Sequence, residues 1–161
     1  YTTRVGEGPF VTELFDETGE RIRTQGREFG TVTGRARRCG WFDAVIVKYA
    51  ARVNGITSIS FMLLDVLTGF DKIKICTAYK MGDKIINNFP ASLEDLAKCE
   101  PVYEELDGWN EDLTNIEKFE DLPENAKKYI ARIEELIDVN IDLVSVGPNR
   151  TQTIIRRNIF E

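Results

Sequence analysis

The chain has 161 residues, 42% hydrophobic and 30% charged, with a net charge of −6. That is the balance of a globular chain long enough to bury its own core. It contains no histidine, which excludes Ser-His-Asp and Cys-His nucleophiles and histidine-ligated metal sites within these residues.

Residues 1–40 carry glycines at 6, 8, 19, 26, 30, 34 and 40 and read as loops with short extended pieces. Asp43 is placed to cap a helix running to about Val53, with Asn54-Gly55 as its stop. Thr57 to Leu64 is β-branched and apolar with little alternation, which predicts a strand buried on both faces. Lys72 to Lys80 alternates, with Ile73, Ile75, Thr77 and Tyr79 on one face. Lys84 to Phe89 is expected to return as a hairpin after Met81-Gly82-Asp83. Ser92 and Asp95 have capping-box spacing over a short helix towards Lys98, and Pro101 to Leu106 reads as a strand. Residues 108–122 are acidic and aperiodic. Ala126, Tyr129, Ile130, Ile133, Leu136 and Ile137 follow helical spacing, with Pro123 in the first turn. Ile141 to Val146 predicts a strand ending at Gly147-Pro148. The fold class is mixed α/β (α+β). A Gly-rich segment, 1–42, is expected to precede a mixed α/β domain, 43–161.

No apolar run reaches the length of a membrane span. The first residue is Tyr1 rather than Met and no signal-peptide pattern follows it, so the chain is expected to be processed, excised or only part of a longer one. Cys39, Cys76 and Cys99 form no C-x-x-C pair and read as reduced thiols of a cytoplasmic protein. Charge is uneven: residues 1–80 carry twelve basic and nine acidic side chains, net +3, and residues 81–161 carry nine and eighteen, net −9. Six arginines fall between Arg21 and Arg38 against one acid, Glu28. A local arginine cluster on an acidic chain fits a small anionic ligand better than nucleic acid, which the rest of the surface would repel.

Three segments could carry chemistry. In residues 26–41, recurrent glycines permit close backbone approach, and Thr31 and Thr33 offer hydroxyls. Arg35, Arg37 and Arg38 offer planar forks for carboxylate or phosphate. The same composition also suits a solvated loop with structural glycines. No G-x-x-x-x-G-K-[ST] occurs, so this is not a P-loop. In Phe61 to Leu67 an apolar run meets Asp65. A carboxylate there can accept two hydrogen bonds from a guanine edge, or can simply cap the next turn. Ser145-Val146-Gly147-Pro148 is a strand followed by a tight turn, able to wrap a base or a phosphate or to be only a turn.

Taken in order, four motifs resemble the adenylosuccinate synthetase (IMP–aspartate ligase) family. They are Val5-Gly-Glu-Gly-Pro-Phe-Val-Thr-Glu-Leu14, Gly26 through Asp43, Leu64-Asp-Val-Leu67, and Ser145-Val-Gly-Pro-Asn-Arg-Thr151. Cys99-Glu-Pro-Val-Tyr-Glu and Gly108-Trp109 are also similar to the family. The resemblance implies the C-terminal portion of a P-loop-related mixed-sheet enzyme. That enzyme uses GTP and Mg²⁺ to join IMP and aspartate in AMP biosynthesis. The catalytic residues and the metal site are expected upstream, in an N-terminal part of the same enzyme. This portion alone is expected to be inactive and to bind no cofactor. The family is a cytoplasmic homodimer with no nucleic-acid or membrane partner. By resemblance, Thr31, Val32, Thr33, Gly34, Arg35, Ala36 and Arg37 form the loop that closes over aspartate. Arg35 and Val5 also contact IMP. Arg37, Leu63, Leu64, Asp65, Ser145, Val146 and Gly147 contact GTP. Three positions depart from the family pattern: Leu63 replaces a polar residue, Val32 a Thr, and Val11 a Pro. A stand-alone purine-nucleotide module, and a domain whose arginines hold an acidic protein partner, are the competing readings.

Overall fold

The computed structural model describes residues 1–158. In chain order the elements are β1 (Thr2–Arg4), α1 (Glu17–Gln25), β2 (Arg38–Gly40), β3 (Phe42–Asp43), α2 (Ala44–Asn54), β4 (Ser58–Phe61), β5 (Lys72–Met81), β6 (Lys84–Ile86), α3 (Leu93–Leu96), β7 (Glu100–Asp107), α4 (Glu124–Ile137), β8 (Asn140–Ser145) and β9 (Thr153–Ile155). The mixed α/β class expected from the sequence is the class found. The chain forms two compact units that interleave along the sequence, residues 1–49 with 74–104, and residues 50–73 with 105–161. They do not divide at residue 42, because β3 pairs in parallel with β5, with Phe42 opposite Ile75 and Asp43 opposite Cys76.

In the first unit, β1 and β2 form an antiparallel ladder, Thr2 opposite Gly40 and Arg4 opposite Arg38. β6 and β7 both pair with β5. The two-residue turn between Met81 and Lys84 uses Gly82 at φ +61°, as a tight hairpin requires. Asp43 caps α2 as expected, its Oδ1 accepting from the Val45 and Ile46 amides at 3.1 and 3.2 Å. Its Oδ2 accepts from the buried Tyr79 hydroxyl at 2.6 Å. Burial raises the Asp43 carboxyl above its ordinary range. Val45, Cys76, Tyr79 and Leu96 form the core here, flanked by Val11, Ile86, Phe89, Cys99 and Tyr103.

Helix α1 lies where loops were expected. Asp16 caps it by accepting from the Gly19 amide at 3.0 Å, and Glu17 and Glu20 favour its N-terminal dipole. Only Gly19 and Ile22 of this helix are buried, so it has almost no apolar stripe for periodicity to detect.

In the second unit, β4 runs parallel to β8 and β9 antiparallel to it. Strand β4 is shorter and more exposed than the sequence predicts. Ser58 to Ser60 are not fully buried and only Phe61 is. Leu63 then turns left-handed, φ 57° and ψ 49°, and a 3₁₀ turn follows over Leu64–Leu67. Helix α4 buries Ala126, Tyr129, Ile130, Ile133 and Ile137, five of the six residues its spacing selected, and leaves Leu136 half-buried. Pro123 stands at its N-cap rather than inside the first turn. Phe61 and Trp109 meet the Tyr129 ring at 6.2 and 6.0 Å between centroids.

Candidate functional site

The second unit assembles one candidate site at a sheet edge. Phe61 faces Val144 in the parallel β4–β8 register. Leu63, Leu64 and Asp65 therefore leave one strand where Ser145, Val146 and Gly147 leave its neighbour. Ligands collect at the carboxyl ends of parallel strands. The two segments that resemblance assigned to one base are thus brought together. The Oδ1 atom of Asp65 is buried and has no hydrogen-bond partner. Burial, followed by the nearby Asp112 charge, raises its carboxyl above the ordinary range, against a lowering contribution from its own amide. A buried acceptor without a donor is costly in a folded chain. Leu63 adds to that cost, since a branched side chain rarely holds a left-handed backbone. Capping does not explain Asp65. The 3₁₀ turn begins at Leu64, and Leu63 at its N-cap makes no side-chain capping bond.

The opposite wall is stapled by Gln152, which the sequence reading did not single out. Its Oε1 accepts from the Asn149 amide at 3.0 Å, and its Nε2 donates to the Thr114 carbonyl at 2.9 Å. The Val146 amide donates to the Gln152 carbonyl at 2.9 Å, and Ser145 Oγ donates to the Gly147 carbonyl at 2.8 Å. A Cβ on Gly147 would stand 2.4 Å from Gln152 Oε1, so glycine is needed for close approach. Behind the Asp65 segment, the Gly69 amide donates to the Trp109 carbonyl and the Gly108 amide to that of Asp71. A Cβ on Gly108 would lie 1.7 Å from the Phe70 carbonyl oxygen.

The first unit presents the arginine loop. Its base is closed by a bridge between Phe29 and Ala36 and by the Arg37 amide donating to the Glu28 carbonyl. Gly34, at φ +65°, turns the tip, where Val32 is 97% exposed. Arg35 and Arg37 flank the bridge but have different surroundings. Arg37 Nη1 donates to the buried Glu28 at 2.8 Å. Glu28 Oε1 also accepts from the Tyr1 hydroxyl at 2.6 Å. Arg35 is exposed and its side chain has no hydrogen-bond or ion-pair partner among the described residues, its amide alone donating to Thr33 Oγ1. Val5, 80% exposed, follows β1 at the end of the ladder from which the arginine loop leaves. It comes directly after Arg4, whose ladder partner is Arg38.

These segments can be weighed against known proteins. The family model for adenylosuccinate synthetase matches residues 1–154. The chain belongs to the adenylosuccinate synthetase family. An adenylosuccinate synthetase from Clostridioides difficile is 82% identical over 160 residues, covering 99% of this chain and 37% of that protein. One from Thermoanaerobacter is 65% identical over 158 residues, again covering 37% of its length. A structure of fully ligated adenylosuccinate synthetase from Plasmodium falciparum superposes with a TM-score of 0.93 at 42% identity. It is covered over 38% of its length by 98% of this chain. The chain thus spans little more than a third of the adenylosuccinate synthetases it matches. Among the described residues no group of three or more Cys, Asp or Glu comes together to hold a metal ion. None of the described helices is long and apolar enough to cross a membrane.

Proposed function

We propose that this chain supplies the substrate-binding C-terminal portion of an adenylosuccinate synthetase. In that enzyme GTP activates the six-oxygen of IMP by phosphorylation, and the amine of aspartate then displaces the phosphate to give adenylosuccinate. Leu63, Leu64 and Asp65 hold one edge of the guanine, and Ser145, Val146 and Gly147 the other. Val5 lines the IMP site. The loop from Thr31 to Arg37 closes over aspartate. Arg35 neutralises its carboxylates and reaches towards IMP, and Arg37 contacts GTP as well. Closure of such a loop excludes water while the amine attacks. The absence of histidine and of a P-loop in these residues supports placing phosphoryl transfer and Mg²⁺ binding in the remaining part of the enzyme. The portion alone is then inactive, and the complete protein is a cytoplasmic homodimer, as its resemblance implies.

The buried, unpartnered Asp65 Oδ1 carries this reading. Its two carboxylate oxygens can accept from the ring N–H and the exocyclic amine of guanine, which relieves the unmet acceptor. In the complete enzyme Asp65→Asn should weaken GTP by about 10–100-fold, the worth of a lost charge-assisted bond. ITP, which lacks the exocyclic amine, should lose much less. Equal losses for GTP and ITP would remove guanine readout from Asp65.

A further inference from the structure

Arg4 and Arg38 face each other across the β1–β2 ladder. Like charges directly opposite in a ladder are destabilising, so this pairing needs a compensating structure. It lies in the loop that follows β1. Arg4 donates to the Glu7 carbonyl at 2.7 Å and to that of Pro9 at 2.8 Å. Arg38 donates to the carbonyls of Gly6 and Gly8 at 3.1 and 2.8 Å. Two guanidiniums thus hold four successive carbonyls, 6 to 9. Gly6 and Gly8 permit the winding at φ +95° and +100°. Arg38 is the better anchored of the pair. Its Nε donates to Glu13 Oε1 at 2.8 Å and its Nη2 to Glu13 Oε2 at 2.5 Å. These bonds hold its charge on, above the already high arginine range.

Arg38 is also the residue immediately after the arginine loop. One side chain therefore ties the end of Thr31–Arg37 to the backbone that follows Val5. We propose that Arg38 is a positioning residue that couples the aspartate loop to the IMP-lining loop, so that each substrate strengthens binding of the other through it. This rests on the substrate assignments above. Ordering of either loop by its own ligand fixes the Arg38 fork, and the other loop then loses less freedom on binding.

The complete enzyme carrying Arg38→Lys tests this. Lysine keeps the charge but cannot span Glu13 and two carbonyls at once. KM for aspartate and for IMP should each rise about tenfold, with KM for GTP unchanged. The factor by which IMP tightens aspartate should fall towards one. Glu13→Gln leaves the carbonyl contacts in place and should give the same pattern in weaker form. It keeps the proposal open to test should the lysine variant fold poorly. A parallel rise for all three substrates with a lowered Tm would make Arg38 a merely structural residue and overturn the coupling. So would a loss for aspartate alone. Arg35→Leu is the control: if aspartate affinity survives it, the loop assignment itself fails, independently of Arg38.

Discussion

The two candidate binding regions are built on opposite principles. In the second unit the Asp65 segment and the Ser145–Gly147 turn are placed by a parallel strand pair and locked by backbone hydrogen bonds and the Gln152 staple. What they leave unmet is one buried carboxylate oxygen. In the first unit the arginine loop is held at its base by charge, Arg37 to Glu28 and Arg38 to Glu13, and its tip stands in solvent. The rigid region suits recognition of a flat, uncharged base edge, where geometry discriminates. The charge-tied loop suits a small dianion that must be enclosed and released. On the proposed assignments, preorganisation and closure are divided between separate stretches of one short chain.

The largest effects should come from two glycines, one behind each region. Gly108→Ala forces a Cβ to 1.7 Å from the Phe70 carbonyl, and Gly40→Ala to 2.1 Å from that of Thr12. Backbone atoms cannot step aside as side chains do, so each should cost about 3 kcal/mol or more, read as a lowered Tm. Substrate profiles separate the two. Gly108→Ala displaces the chain after the Asp65 turn and should raise KM mainly for GTP. Gly40→Ala disturbs the β1–β2 ladder and should raise it mainly for IMP and aspartate. Identical profiles from both variants would erase the distinction between the regions.

Smaller, and directed at the chemistry, is Arg35→Leu in the complete enzyme. Losing a charge-assisted contact to a carboxylate should weaken aspartate by about 10–100-fold. Salt should sharpen the comparison further. Raising ionic strength from about 0.05 M to about 0.5 M shortens the reach of exposed charges. Aspartate affinity should therefore fall, while the preference for GTP over ITP holds. A salt-sensitive GTP/ITP ratio would mean that the base is selected by long-range charge rather than by Asp65.

How legible each region was follows from the same contrast. The buried face of α4 and the Asp43 cap could be read directly, because periodicity and capping are local signals. The end of β4 could not. Met62 and Leu63 continue an apolar run, and nothing local announces that Leu63 adopts φ 57°. The conformation is adopted just past the last β4–β8 pair, Phe61 with Val144, a pairing that local sequence does not reveal. Within the arginine loop, composition marks a cluster of cations but cannot divide it. Arg35 is exposed, Arg37 pairs with an acid nine residues earlier, and Arg38 with one 25 residues earlier. Gln152 was invisible for the same reason, since its role is to reach Thr114, 38 residues away. The pairing of motifs with substrates came from family resemblance, not from pattern.

The smallest expected effects concern stability without ligand, and they compare two orphaned atoms of the second unit. Tyr129 buries its hydroxyl in the core without a partner, and Asp65 buries Oδ1 likewise. Tyr129→Phe removes a polar atom that contributes nothing there, so the variant should match or exceed the parent by about 1 kcal/mol. That difference should be flat between pH 4 and 7.5, because burial pushes the Tyr129 hydroxyl far above its ordinary range. Asp65 should behave differently. Its folded pKa is raised by burial above the ordinary 3.8. A raised acid contributes stability that is fully present below the unfolded value and lost as pH rises through the folded one. Once ionised, Asp65 is therefore a net cost to the unliganded protein. Asp65→Asn should stabilise it at pH 7, with the gain fading as pH falls through the raised folded value and gone below about 4. Urea midpoints across that range decide the matter. A stabilisation that vanishes on acidification, in a variant that no longer distinguishes GTP from ITP, is what a carboxylate kept for a ligand rather than for the fold requires. A variant less stable at pH 7 would return Asp65 to a structural role.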